Sequence, residues 1–214
     1  MSAWLSLGLA VMTSTQTSAA GRYLVSPKES EVYVVVKKDR STLLAGLSHD
    51  HVIVAQSFAG FVEWDPGEPS ACRVEIVVPV RSLVVDPDGK RESLGFEKEL
   101  GESGKQKVRD NMLAKSQLFA RSFPEIRFEA QQCTVAAEGK IALEGALTIR
   151  GVRVKMNLPM KVDFDQDRLR ARVDFTRGHE FGFDPYSNAL GALKNDEPLR
   201  FHVDIVAIRE PGSS

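Results

Sequence analysis

Long stretches of this sequence alternate apolar and polar residues one for one, and a period of two commits a chain to half-buried β-strands. Between 141 and 164 the pattern is nearly unbroken. Ile141, Leu143, Gly145, Leu147 and Ile149 share one face, a tight turn follows at Gly151, and Val154, Met156, Leu158, Met160, Val162 and Phe164 share the next. This is a hairpin with one wet face. Pro159 falls on its polar side and lacks an N–H, which predicts an edge or a bulge. The same alternation marks strands at 23–25, 51–55, 58–64, 72–80, 169–175 and 199–205, and a longer one in which Val32, Val34 and Val36 oppose Glu31, Tyr33 and Lys37.

Roughly eight antiparallel strands with unbroken apolar faces can close into a barrel, leaving no free edges and an interior able to hold a small ligand. The predicted class is therefore all-β, an antiparallel barrel with a helical insert near 90–118. A two-sheet sandwich filled by its own side chains buries the same face, so periodicity leaves that alternative open. Small residues in the inward set (Gly60, Ala130, Gly145, Ala171) favour room inside. In the insert, Ser103 and Gln106 have the spacing of a capping box ahead of Val108, Met112 and Leu113, which predicts helices over 92–100 and 104–115.

At 214 residues, 43% hydrophobic and 27% charged, the chain suffices for one large domain, expected over 21–210. A net charge of -1 with interspersed signs offers no basic stripe for nucleic acid. The first twenty residues carry no charge, hold a short apolar run over 4–12 and end in Ser18-Ala19-Ala20 before Gly21, small residues that suit signal-peptidase cleavage. The usual basic residue at the start is missing. The expectation is a signal peptide over 1–20, a periplasmic or secreted protein without a transmembrane segment in its mature chain, and a disordered tail over 211–214. A homodimer is left open.

Cys72 and Cys133 form an even pair that an oxidising compartment would allow to bridge. Strand parity argues against it. Cys72 shares a face with Val74, Ile76 and Val78, whereas Cys133 falls with Arg127 and Glu129, opposite Ile126 and Phe128, so a bridge would need an intervening bulge.

Several strings in fixed order resemble one family: FAGFVEW at 58–64, VRSLVVD at 80–86, RDNML at 109–113, LF at 118–119, FPEIRF at 123–128, GALTIRGV at 145–152 and FGF at 181–183. Their order and spacing resemble the YceI-like, lipid or polyisoprenoid-binding family of bacterial exported proteins, and the resemblance implies a lipocalin-like barrel. Two stretches depart from the family pattern: a longer insert between Asp86 and Arg109, and the string from Leu47 to His51. Pro124 sets φ where the insert meets the next strand, and Leu118, Phe119 and Phe123 are placed to plug one end of a barrel or to pack in its core. Arg109 and Asp110 are expected to anchor the helix to the rim.

His49 and His51 stand two apart, so in a strand both rings reach the same side and could share a zinc or copper ion. A third ligand would be needed; His179 and His202 are candidates, although parity puts His202 outside. There is no GxSxG elbow, no phosphate-binding glycine loop and no cysteine in an electropositive setting, so no enzyme is expected. The leading expectation is an exported protein that holds an isoprenoid or other long apolar lipid for transport or storage, without a cofactor. The cavity-lining candidates from parity are Val34, Val36, Phe58, Val62, Ile76, Val78, Phe128, Leu147, Met156, Leu158, Val173, Phe201 and Val203, with Leu118, Phe119 and Phe123 near the end. The alternatives are a metal-binding or redox protein using His49 and His51, and a filled β-sandwich serving as an interaction module.

Overall fold

A computed structural model describes residues 20–212 other than 66, 69, 97–99, 137–139, 166 and 179. All of the expected signal peptide but Ala20 lies outside the described residues, as do His179 and the last two residues of the tail. The elements are β1 (Gly21–Val25), β2 (Glu31–Lys38), β3 (His51–Ala55), β4 (Ala59–Trp64), β5 (Arg73–Pro79), β6 (Leu83–Val85), α1 (Lys90–Ser93), α2 (Glu102–Leu113), β7 (Glu125–Val135), β8 (Lys140–Ile149), β9 (Val152–Asp165), β10 (Arg168–Arg177), β11 (Ser187–Asn188) and β12 (Leu193–Arg209).

The hydrogen-bonded order β1-β4-β5-β7-β8-β9-β10-β12 returns to β1, a closed antiparallel barrel of eight strands. The filled sandwich is thereby excluded. The three remaining longer strands prolong the wall at one end: β2 continues β1 along β12, β3 continues β4 along β2, and β6 continues β5 along β3. Three of the eight staves are thus bent rather than straight. At the first bend, residues 26–30, the Val206 N–H donates to Ser30 Oγ at 2.8 Å, so a side chain replaces the missing ladder partner. The end reached by β1 and the β9–β10 turn is closed by aromatic packing, with Phe164 edge-on to both Tyr23 and Trp64 at 5.7 and 5.3 Å.

Pro159 does mark an edge. Strands β9 and β10 pair only where Lys161–Asp165 faces 168–172, and the ladder stops just before the residue that has no N–H to give. Beyond it β9 follows β8 alone and β10 follows β12 alone, so the wall parts toward the open end. The FGF string lies near the start of β9: Phe181 is fully buried, and Arg150 Nη1 donates to the Gly182 carbonyl at 2.7 Å.

Three expectations are corrected. Cys72 and Cys133 are bridged, with Cα atoms 5.7 Å apart. The register of β7 against β8 slips by one between Ala130 and Gln132, and that bulge turns Cys133 inward opposite Leu143. Next, α1 ends at Ser93 instead of running to 100, and α2 spans Glu102–Leu113 with Gly101 as an N-cap lacking a side-chain bond. Ser103 is already inside the helix, so the capping box does not form; Gln106 instead donates to Asp110 at 2.7 Å. Finally, Gly60 and Gly145 do not mark spare room. A Cβ on Gly60 would stand 2.2 Å from the Glu75 carbonyl oxygen, and one on Gly145 2.4 Å from that of Glu129. Both glycines allow close backbone approach where the wall curves.

Candidate functional site

The barrel encloses two apolar chambers. The inner one holds about 160 Å³ and the outer, at the mouth, about 330 Å³; Val34, Ile53, Leu83, Ile126, Ile149 and Phe201 border both, so the two adjoin. Leu47, 70% exposed, stands where the outer chamber meets solvent. Together they fall in the range of small-molecule sites, which are concave, apolar and sparing in polar groups.

Eleven of the sixteen lining candidates border this space. Ile76, Val78, Phe128, Leu147, Leu158, Val173 and Val203 line the inner chamber, Val36 and Leu118 the outer, and Val34 and Phe201 both. The other five lie elsewhere. Phe58, Val62 and Met156 are buried in side-chain packing around the cavity. Phe119 and Phe123 pack edge to face at 5.9 Å, and Phe123 covers Gly151. Parity finds the correct face of a strand but not the level along the barrel axis at which space remains. Of the four small inward residues, Ala171 alone borders a chamber.

The outer chamber draws its polarity partly from strands, His51 of β3 and Lys194 and Asn195 of β12, and partly from segments that carry no strand pattern. Helix α2 contributes Lys107, Val108, Asn111 and Met112. It is tied down by Arg109, whose Nη2 donates to the Arg81 carbonyl at 2.9 Å, and by Asn111, whose Nδ2 donates to the Tyr186 hydroxyl at 3.0 Å. Arg109 thus anchors the helix as expected, while Asp110 bonds only within it.

Beside this mouth, Asp86 and Arg91 are the two charged side chains fully sunk in the fold among the described residues. Asp86 has no exposed surface and Arg91 is 2% exposed. Asp86 Oδ2 accepts from His51 Nδ1 at 2.8 Å, and Oδ1 accepts from the Val52 N–H at 2.7 Å. Arg91 Nη1 stands 3.6 Å from Oδ1 and also donates to the Asp50 carbonyl. Burial alone would raise the carboxyl's pKa, but the bonds from His51 and Val52, with the Arg91 guanidinium beside them, outweigh it and hold the group below the usual carboxylate range. An ionised carboxylate only accepts, so Nδ1 carries the imidazole proton. Asp86 holds this pose with a left-handed backbone, φ 45°, uncommon for a residue other than glycine and a mark of a constrained position. The sequence reading noted Asp86 only as the end of a motif and missed Arg91; neither burial nor positive φ is written in a periodicity.

His49 and His51 both border the outer chamber. Among the described residues, however, no three His, Cys, Asp or Glu side chains converge as a metal site. His51 has one ring nitrogen committed to Asp86. His202 stacks on Tyr33 at 4.5 Å and bonds Asp174 on the outer face, as parity required. No helix among the described residues is long and apolar enough to cross a membrane.

Solved structures with the same architecture include three low-identity relatives. BcnA of Burkholderia cenocepacia matches with a TM-score of 0.64 at 15% identity, over 86% of this chain and 99% of that one. A polyisoprenoid binding domain from Saccharophagus degradans, implicated in plant cell wall breakdown, matches at 0.58 and 9% identity, over 88% and 98%. The YCEI protein of Campylobacter jejuni matches at 0.50 and 13%, over 74% and 84%. No curated protein sequence gives a significant match. At such identities the structures speak for the fold, while the family follows from the sequence itself: the model of the YceI-like domain matches residues 23–205, and the chain therefore belongs to the YceI-like family.

Proposed function

We propose that this protein is an exported carrier that shields a long apolar lipid, an isoprenoid or a close relative, inside its barrel for transport or storage. The observation that carries the reading is the pair of adjoining apolar chambers inside the barrel. Each methylene moved from water into such a space contributes about 0.8 kcal/mol. Ordering and association consume much of that gain, so the site can hold a lipid firmly and still release it to another apolar phase. The polyisoprenoid binding domain among the structural relatives supports the ligand class. Two features support export: the uncharged leader ending in small residues and the Cys72–Cys133 disulfide, a bond favoured in oxidising compartments.

Mass spectrometry of organic extracts from protein purified out of its native host tests the reading, with fractionation of the cell as its companion. Lipid near one molecule per chain, in an exported fraction, is the expected result. Protein that carries no lipid and takes up none from vesicles would overturn it. Ala171→Trp, which places an indole in the inner chamber, is expected to abolish uptake while leaving the fold intact.

A further inference from the structure

We propose that His51 is a recognition residue for the polar end of the ligand, and that this end carries a hydroxyl, as a prenyl alcohol does. The inference rests on the carrier reading above and refines it. The inner chamber is walled almost wholly by aliphatic and aromatic side chains, whereas polar groups gather only around the outer one. That gradient suits a molecule with an apolar tail inward and a single polar end at the mouth.

His51 is the polar side chain there whose pose is most tightly determined. Its ring borders the outer chamber and is 12% exposed, and Nδ1–H is fixed on the fully buried Asp86. Asp86 is itself fixed by the Val52 N–H and the buried Arg91. Among the described residues no protein group bonds Nε2. With the proton held at Nδ1, a neutral imidazole presents a lone pair at Nε2 and accepts from an O–H. A strained backbone at Asp86 and a buried ion pair are an expensive way to orient one ring unless its other nitrogen has a task.

The probes are geranylgeraniol and its methyl ether, which share a tail and differ in the donor hydrogen. Binding to the full mature chain is measured by calorimetry at pH 8. His51→Asn puts an amide nitrogen where Nδ1 stands, so Asp86 keeps its hydrogen bond while the Nε2 acceptor is removed. The wild type is expected to favour the alcohol by about threefold to tenfold, the range of one hydrogen bond, and His51→Asn to bind both probes equally. Equal binding of both by the wild type, or a preference that survives in His51→Asn, overturns the inference and leaves the carrier standing. Binding of neither probe overturns the carrier reading and this inference with it.

Discussion

Breaking the Cys72–Cys133 bridge frees a loop in which the two half-cystines are 61 residues apart. In the chain-entropy description, a tie across a loop of that length removes about 14 cal/mol/K from the unfolded chain, or about 4 kcal/mol at 25 °C. For a domain of this size each kcal/mol shifts the melting temperature by about 2–4 °C. The reduced protein, or the double variant Cys72→Ala with Cys133→Ala, is therefore expected to melt roughly 10 °C below the oxidised form. The bridge joins the strands next to the closed end, and both residues are buried at 4% exposure, so reduction requires unfolding and refolding in reductant before the melt. Circular dichroism gives the midpoint and intact mass verifies the redox state. A reduced protein that melts within 3 °C of the oxidised one would refute the reasoning, because a constraint of that span cannot then be what restrains the unfolded chain.

Two further expectations concern the wall and the mouth. Asp86 is held below its ordinary pKa, so its contribution to stability is complete above the unfolded value and is lost as pH falls through the folded one. Asp86→Ala should cost about 3–5 kcal/mol near neutrality, since it removes the carboxylate from beside the buried Arg91 guanidinium and from its bonds with His51 and Val52, and in urea melts from pH 7 to pH 2.5 the variant should lose less stability on acidification than the wild type does. Gly145→Ala, whose Cβ would meet a backbone oxygen, should cost about 1–3 kcal/mol. The control Gly46→Ala has nothing within 4 Å and should change stability by less than about 0.5 kcal/mol.

The strands were legible because each side chain's face follows from its place in an alternating run. Val34, Phe128, Leu147 and Val203 illustrate it, all inward and all on the cavity wall. Parity failed where one extra residue entered a strand: the slip after Ala130 reversed the face of Cys133 and turned an argument against the disulfide into the reason for it. The lining was half legible. Met156 and Leu158 read alike in sequence, yet only Leu158 borders the cavity, since alternation does not record which distant neighbours pack in front of a side chain. The mouth was least legible, for α2 and the turn at Asp86 carry no period. His51 drew attention as half of a metal pair, whereas its partner proved to be a carboxylate 35 residues away.

The incomplete seam between β9 and β10 gives this container a compliant side. Elsewhere girth is set by peptide-to-peptide bonding, which yields only by breaking rungs. Along 152–160 the sheet has no rung to β10; the segment after β10 lies near there, with Phe181 buried and Gly182 bonded by Arg150 of the β8–β9 turn. Widening along that line would break no rung of the sheet, so on the carrier reading proposed above this is the flank that would adjust to the girth of a bound chain.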